Sequence, residues 1–188
     1  MKSWDKGAWT TDGGSYRVCI SAKLPGSVAC DGCSQGIWPA HWMMPLDDSC
    51  DPDEGEMDIM EMVNGDGTTW ATYHWQDNWP AESCAYPTGH QEVYGQLFMG
   101  ADWADGFHEW GVERTEEYIA FSYDGKVLVN SSASELDVLL WQMPFYLILN
   151  TAVGGGWPGE PDERTVSPAY HLIDYVRMAR APIPIQKI

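Results

Sequence analysis

The stretch Gly55-Glu56-Met57-Asp58-Ile59-Met60-Glu61-Met62-Val63 sets three carboxylates among apolar residues within six positions. Acids at such density can do glycosyl-transfer chemistry. One carboxyl attacks or stabilises an anomeric carbon while a second protonates the departing oxygen, and a separation of about 5–5.5 Å implies retention of configuration. A third carboxyl between them helps, because close like charges push pKa values apart, keeping one acid protonated while another stays ionised. The assignment that follows is Glu56 as nucleophile, Glu61 as acid/base and Asp58 as the group that tunes them. A solvated acidic strand edge or a calcium site would use the same residue types, so the triplet alone leaves both alternatives open.

The element that carries these acids must be unusual. In a regular strand residues 56 and 58 share a face and residue 61 points the opposite way, into the apolar layer. One extra residue near Met60, a β-bulge, would restore the phase, returning Glu61 to the face of Glu56 and Asp58 and leaving Met57, Ile59 and Met62 as the buried set. The surrounding chain reads as mostly β. Alternation marks Tyr16 to Lys23, Glu56 to Val63, Thr68 to Trp75, Phe107 to Val112, Pro144 to Asn150 and His171 to Met178. Glu117 to Tyr123 and Lys126 to Asn130 flank Asp124-Gly125, a pair suited to the positive φ angles of a type I′ hairpin turn. Ser134 to Trp141 reads as one short helix, and Gly154-Gly-Gly-Trp-Pro-Gly159 as a shaped loop.

Composition narrows the partners. With 28 acidic and 10 basic side chains the 188-residue chain carries a formal charge of -18, which repels phosphate backbones and anionic lipid heads. Neither nucleic acid nor a membrane is expected as a partner. The length fits a single domain over residues 1–188. Eleven tryptophans exceed what a core of this size needs, and about half are expected to do another job. An indole is a flat apolar platform for the C–H face of a pyranose, whose hydroxyls then reach neighbouring carboxylates and amides. Five cysteines, at 19, 30, 33, 50 and 84, leave at least one unpaired or paired outside the chain. Cys30-Asp-Gly-Cys33 has redox or zinc spacing, but without a second such pair a loop disulfide or idle thiols is the expectation.

Taken together, several segments resemble glycoside hydrolase family 16 in its bulged, laminarinase-like form, in the right order over about residues 15 to 178. These are Ala22-Lys-Leu-Pro25, the Trp-Pro-Ala-x-Trp block within Gly36 to Pro45, the Glu-x-Asp-x-x-Glu signature at Glu56 to Glu61, and Ala71-Thr-Tyr-His-Trp75. Phe107 to Trp110 with Ile119 to Gly125, Pro144 to Gly159 and Asp174 to Arg177 complete the series. The resemblance implies an all-β, concanavalin A-like β-jelly-roll sandwich with a concave substrate cleft. It implies Trp38 and Trp42 as cleft-lining aromatics, His74 beside the acid/base, Trp157 as a platform at the rim and Asn150 as a hydrogen-bonding partner of a sugar hydroxyl. The chain departs from the family where Cys19 and Ser21 stand in place of a usual Glu and Arg, and the fold is expected to be shortened at its N-terminus.

The activity implied is retaining endo-hydrolysis of internal β-1,3-glucosidic bonds in laminarin-type β-glucans by a secreted, monomeric protein. An agarase, carrageenase or mixed-linkage glucanase of the same family, or a non-catalytic β-glucan-binding module, are the competing expectations. No cofactor is required, since two carboxyls and water suffice. No metal ligands are picked out, though the resemblance allows a structural calcium ion.

Overall fold

In a computed structural model of the chain, residues 1–3, 16–27, 29–46, 55–76, 90–132 and 143–180 are described. The elements among them are ten strands: β1 (Tyr16–Lys23), β2 (Ile37–Pro45), β3 (Glu56–Glu61), β4 (Thr68–Gln76), β5 (His90–Phe98), β6 (His108–Arg114), β7 (Tyr118–Tyr123), β8 (Lys126–Ser132), β9 (Phe145–Val153) and β10 (Leu172–Ala179). They form two five-stranded antiparallel sheets, ordered β5-β4-β3-β2-β9 and β10-β1-β6-β7-β8. This is the all-β sandwich that the alternating pattern and the family resemblance lead one to expect. The helix expected at Ser134 to Trp141 lies outside the described residues, as do Cys50 and Cys84.

Alternation explains how the layers close. Thr69, Ala71, Tyr73 and Trp75 of β4 face inward with Met57 and Ile59 of β3, and they meet Val18, Ile20, Trp110, Val112 and Phe121 from the opposite sheet. Trp110 is fully buried, and its indole N–H donates to Thr69 Oγ1 at 3.0 Å, so the one polar atom it carries into the core is satisfied. Asp124 and Gly125, with φ of 45° and 76°, turn β7 into β8 as their sequence predicts.

Two strands escape the alternation pattern. Pro39 and Pro45 interrupt β2, and proline removes a ladder donor, which argues against a central strand. Gly95 sits in the middle of β5 for a packing reason: a Cβ there would lie 2.5 Å from the Leu128 carbonyl oxygen of β8. The two sheets approach closely at this corner, and glycine permits it. Among the described cysteines, Cys30 and Cys33 form a disulfide, and Cys19 is a buried free thiol that accepts from Arg17 Nε at 3.2 Å.

Candidate active site

β3 is the central strand of its sheet, and its pairing slips on both sides. Against β4, Asp58 pairs with Thr72 and Glu61 with Trp70, so three residues of β3 span two of β4. Against β2, Asp58 pairs with Trp42 and Met60 with His41, leaving Ile59 as the extra residue. The bulge therefore falls at Ile59-Met60, and Glu61 returns to the face of Glu56 and Asp58. Met60 differs from expectation in one respect: it is buried together with Met57, Ile59 and Met62, so the bulge turns two consecutive side chains into the core.

The three acids line a groove of about 660 Å³ on the outer face of this sheet, walled by Trp38, Trp70, Thr72, His74, His90, Glu92, Tyr94 and Trp157. Past the same acids it continues into a recess of about 160 Å³ between Ala40, Trp42, Asn150 and Ala152. The acid row thus lies where two lobes meet, with room for a chain on either side. All eight residues singled out from the sequence line one lobe or both. None of Tyr16–Lys23 lines either lobe; β1 belongs to the opposite sheet.

Hydrogen bonds fix the individual groups. The Trp38 indole N–H donates to Glu61 Oε1 at 3.0 Å, and that of Trp42 donates to Asn150 Oδ1 at 2.7 Å. His74 Nε2 lies 3.0 Å from Asp58 Oδ2, so the imidazole partners the middle acid of the row. One atom each from Glu56, Asp58 and His74 lie within 4.8 Å of one another. Burial pushes the Glu61 carboxyl above its ordinary value, and the Trp38 hydrogen bond and the charge of His74 only partly oppose that shift. A carboxyl raised in this way stays protonated to higher pH, which suits a proton donor.

Of the tryptophans among the described residues, Trp75, Trp103 and Trp110 are buried, whereas Trp38, Trp42, Trp70 and Trp157 border the groove. Trp157 meets Trp38 edge-on at 5.3 Å and Trp70 at 6.0 Å, and Trp70 lies 6.0 Å from Tyr94. Its loop is held by Gly154 N–H donating to the Gly36 carbonyl at 2.8 Å and by the Gln35 amide donating to the Pro158 carbonyl at 2.8 Å. Gly36, at φ +74°, is required here, because a Cβ would come within 2.4 Å of the Pro161 nitrogen.

The sequence reading missed Trp70, Thr72, His90, Glu92 and Tyr94. Trp70 and Thr72 share the face of His74 on β4 and could have been found from period two alone. The other three sit on β5, where alternate residues His90, Glu92 and Tyr94 present one face, a signal that Gly95 obscures.

A pair of antiparallel sheets with an acid row in an indole-lined groove on one outer face defines a jelly-roll architecture with an open cleft. More narrowly, the chain belongs to the glycosyl hydrolases family 16, whose family model matches residues 15–177. It is 30% identical over 194 residues to a β-glucanase of Rhodothermus marinus, covering 93% of this chain and 59% of the relative. It is 33% identical over 144 residues to the endo-1,3-1,4-β-glycanase ExsH of Rhizobium meliloti, covering 76% of this chain and 27% of the relative. Among solved structures, the catalytic domain of an endo-1,3-β-glucanase (laminarinase) from Thermotoga petrophila superposes with a TM-score of 0.73 at 33% identity, covering 94% of this chain and 66% of that one. The chain therefore spans less than two thirds of the length of these relatives.

Proposed function

We propose that the chain is a retaining endo-glycosidase that hydrolyses internal β-1,3-glucosidic bonds of laminarin-type β-glucans. The observation that carries this reading is the acid row at the junction of two lobes, which suits a polymer lying across the site rather than one ending in it. Glu56 attacks the anomeric carbon, and Glu61, raised by burial, gives its proton to the departing glycosidic oxygen. A glycosyl–Glu56 ester forms as the bond to the leaving chain breaks. Glu61, now ionised, takes a proton from water, whose oxygen attacks the same carbon and frees Glu56. Asp58, held by His74, keeps negative charge between the two and separates their protonation states. Trp38, Trp42 and Trp157 offer faces for sugar rings, and Asn150 a polar contact at the smaller lobe.

The mechanism needs no cofactor and no catalytic metal. A polysaccharide substrate too large to enter a cell argues for a secreted protein, and the Cys30–Cys33 disulfide fits an oxidising compartment. Hydrolysis of mixed-linkage glucan is the second reading, favoured by the resemblance to the endo-1,3-1,4-β-glycanase. Laminarin, lichenan and agarose offered in parallel separate the two. We expect short laminarin oligomers of mixed length from the outset, and loss of reducing-end release in Glu56→Gln. Release undiminished in that variant would overturn the assignment, and preferential cleavage of lichenan would move it to the second reading.

A further inference from the structure

One wall of the larger lobe carries a cluster of which the glycosidase mechanism uses only His74, as the partner of Asp58. His74 and Glu92 are a direct cross-strand pair between β4 and β5, and His90 lies two residues before Glu92 on the same face. Their donor atoms form a nearly regular triangle: His74 Nδ1 to His90 Nε2 is 3.2 Å, His74 Nδ1 to Glu92 Oε2 is 3.6 Å, and His90 Nε2 to Glu92 Oε2 is 3.7 Å. We propose that these three residues bind one divalent transition-metal ion of the zinc type, and that the bound ion acts as a brake on the neighbouring acid row.

Size, chemistry and support all suit such an ion. A tetrahedral zinc ion with bonds of about 2.0–2.2 Å holds its ligand atoms roughly 3.3–3.6 Å apart, so the triangle already has the dimensions of one coordination face. Two imidazoles and a carboxylate select a borderline-soft metal over calcium or magnesium, which take oxygen ligands. The fourth position is left for water on the groove side. His74 Nε2 lies 3.0 Å from Asp58 Oδ2; with its proton donated there, Nδ1 keeps its lone pair for β5. A carboxylate that orients a ligating histidine in this way is the usual support of a metal site. The side chains of His74 and His90 are 19% and 16% exposed and that of Glu92 47%, so an ion can reach the triangle from the groove. The net charge of -18 draws cations toward it.

The brake follows from position and rests on the functional reading above, whereas the binding does not. A dication held by His74 sets a charged, hydrated group one imidazole away from Asp58, inside the groove that the polymer must enter. The ion and its water also occupy the wall that a sugar ring would pass. The test titrates the folded, metal-free chain with Zn²⁺ by calorimetry and with Co²⁺ by visible absorption, which distinguishes a tetrahedral nitrogen-bearing site from carboxylates on the surface. One ion per chain is expected, with an intense tetrahedral Co²⁺ spectrum. Binding should weaken at least about tenfold in His90→Gln and in Glu92→Gln, and about 10–100-fold in Asp58→Asn. Melting curves in chelator establish that each variant is folded, and the two β5 variants serve as substitutes for one another. A wild-type chain that binds neither ion, or equal binding by a folded His90→Gln or Glu92→Gln, overturns the site. Laminarin hydrolysis should fall as Zn²⁺ is added and return with chelator; hydrolysis unaffected at saturating Zn²⁺ overturns the brake. Zn²⁺ bound by a chain that cleaves no glucan would remove the functional reading and the brake while leaving the metal site standing.

Discussion

Glu61 is held between opposing influences. Burial raises its pKa, while the Trp38 indole and the charge of His74 favour its ionised form. Replacing Trp38 by Phe keeps an aromatic face but deletes the N–H donor, so the carboxylate loses stabilisation and its pKa rises further. For a residue that must be protonated to act, the basic limb of kcat/KM should move to higher pH in Trp38→Phe; a limb that stays put or moves down would remove Glu61 as the proton donor. Glu61→Gln should lower kcat roughly 10²–10⁴-fold on unactivated glucan. At this scale the acids were legible because carboxylates are rare on a strand otherwise made of Met and Ile. The partner of His74 was less so: a histidine expected beside the acid/base bonds Asp58 instead, since the side chain reaches diagonally past its cross-strand neighbour Glu56. Diagonal reach depends on local twist, which residue spacing does not encode.

The elements show the same division. β1 was legible to its bounds, and the β7–β8 hairpin from its Asp-Gly turn, since alternation and turn chemistry act locally. The bulge in β3 was also legible, because only a phase shift lets Glu61 share a face with Glu56 without burying a charge among methionines. β5 was not, for its central glycine answers a contact from β8, far along the chain. That contact makes a prediction. Gly95→Ala forces the β5 and β8 backbones apart and should cost about 1–3 kcal/mol, read as a lower Tm, with a raised KM because Glu92 and Tyr94 move with β5. A variant as stable as the parent would mean that the corner is not tightly packed.

At the scale of the whole molecule, the groove sheet is tied to β10 through a buried histidine, His41, and a half-buried one, His171. His41 Nε2 on β2 lies 2.9 Å from His171 Nε2 beside β10, and His171 Nδ1 lies 3.1 Å from Thr151 Oγ1. Burial holds both rings neutral, pushing His41 well below 6.5 and His171 down to about 4. Unfolded histidines take up protons near 6.5, so the stability gained from the neutral pair is whole above that pH and drains away as pH falls toward 4. Each tenfold weakening of proton binding in the folded protein is worth about 1.4 kcal/mol once the pH has fallen that far. Tm should therefore fall between pH 7 and pH 4.5, and less steeply in His171→Gln; equal slopes would show that the pair does not govern acid stability. On the other face of the same sheet, the proposed reaction passes through a covalent bond between Glu56 and a glucosyl unit, and the catalytic roles given to the acid row depend on that bond. Treating the protein with a 2-deoxy-2-fluoro laminaribiosyl inactivator, digesting it and mapping the modified peptide by mass spectrometry looks for it outright. The expected finding is one fluoroglycosyl group on Glu56; a group on Asp58 or Glu61 would remove Glu56 as the nucleophile, and none on a chain that cleaves laminarin would refute the double-displacement reading.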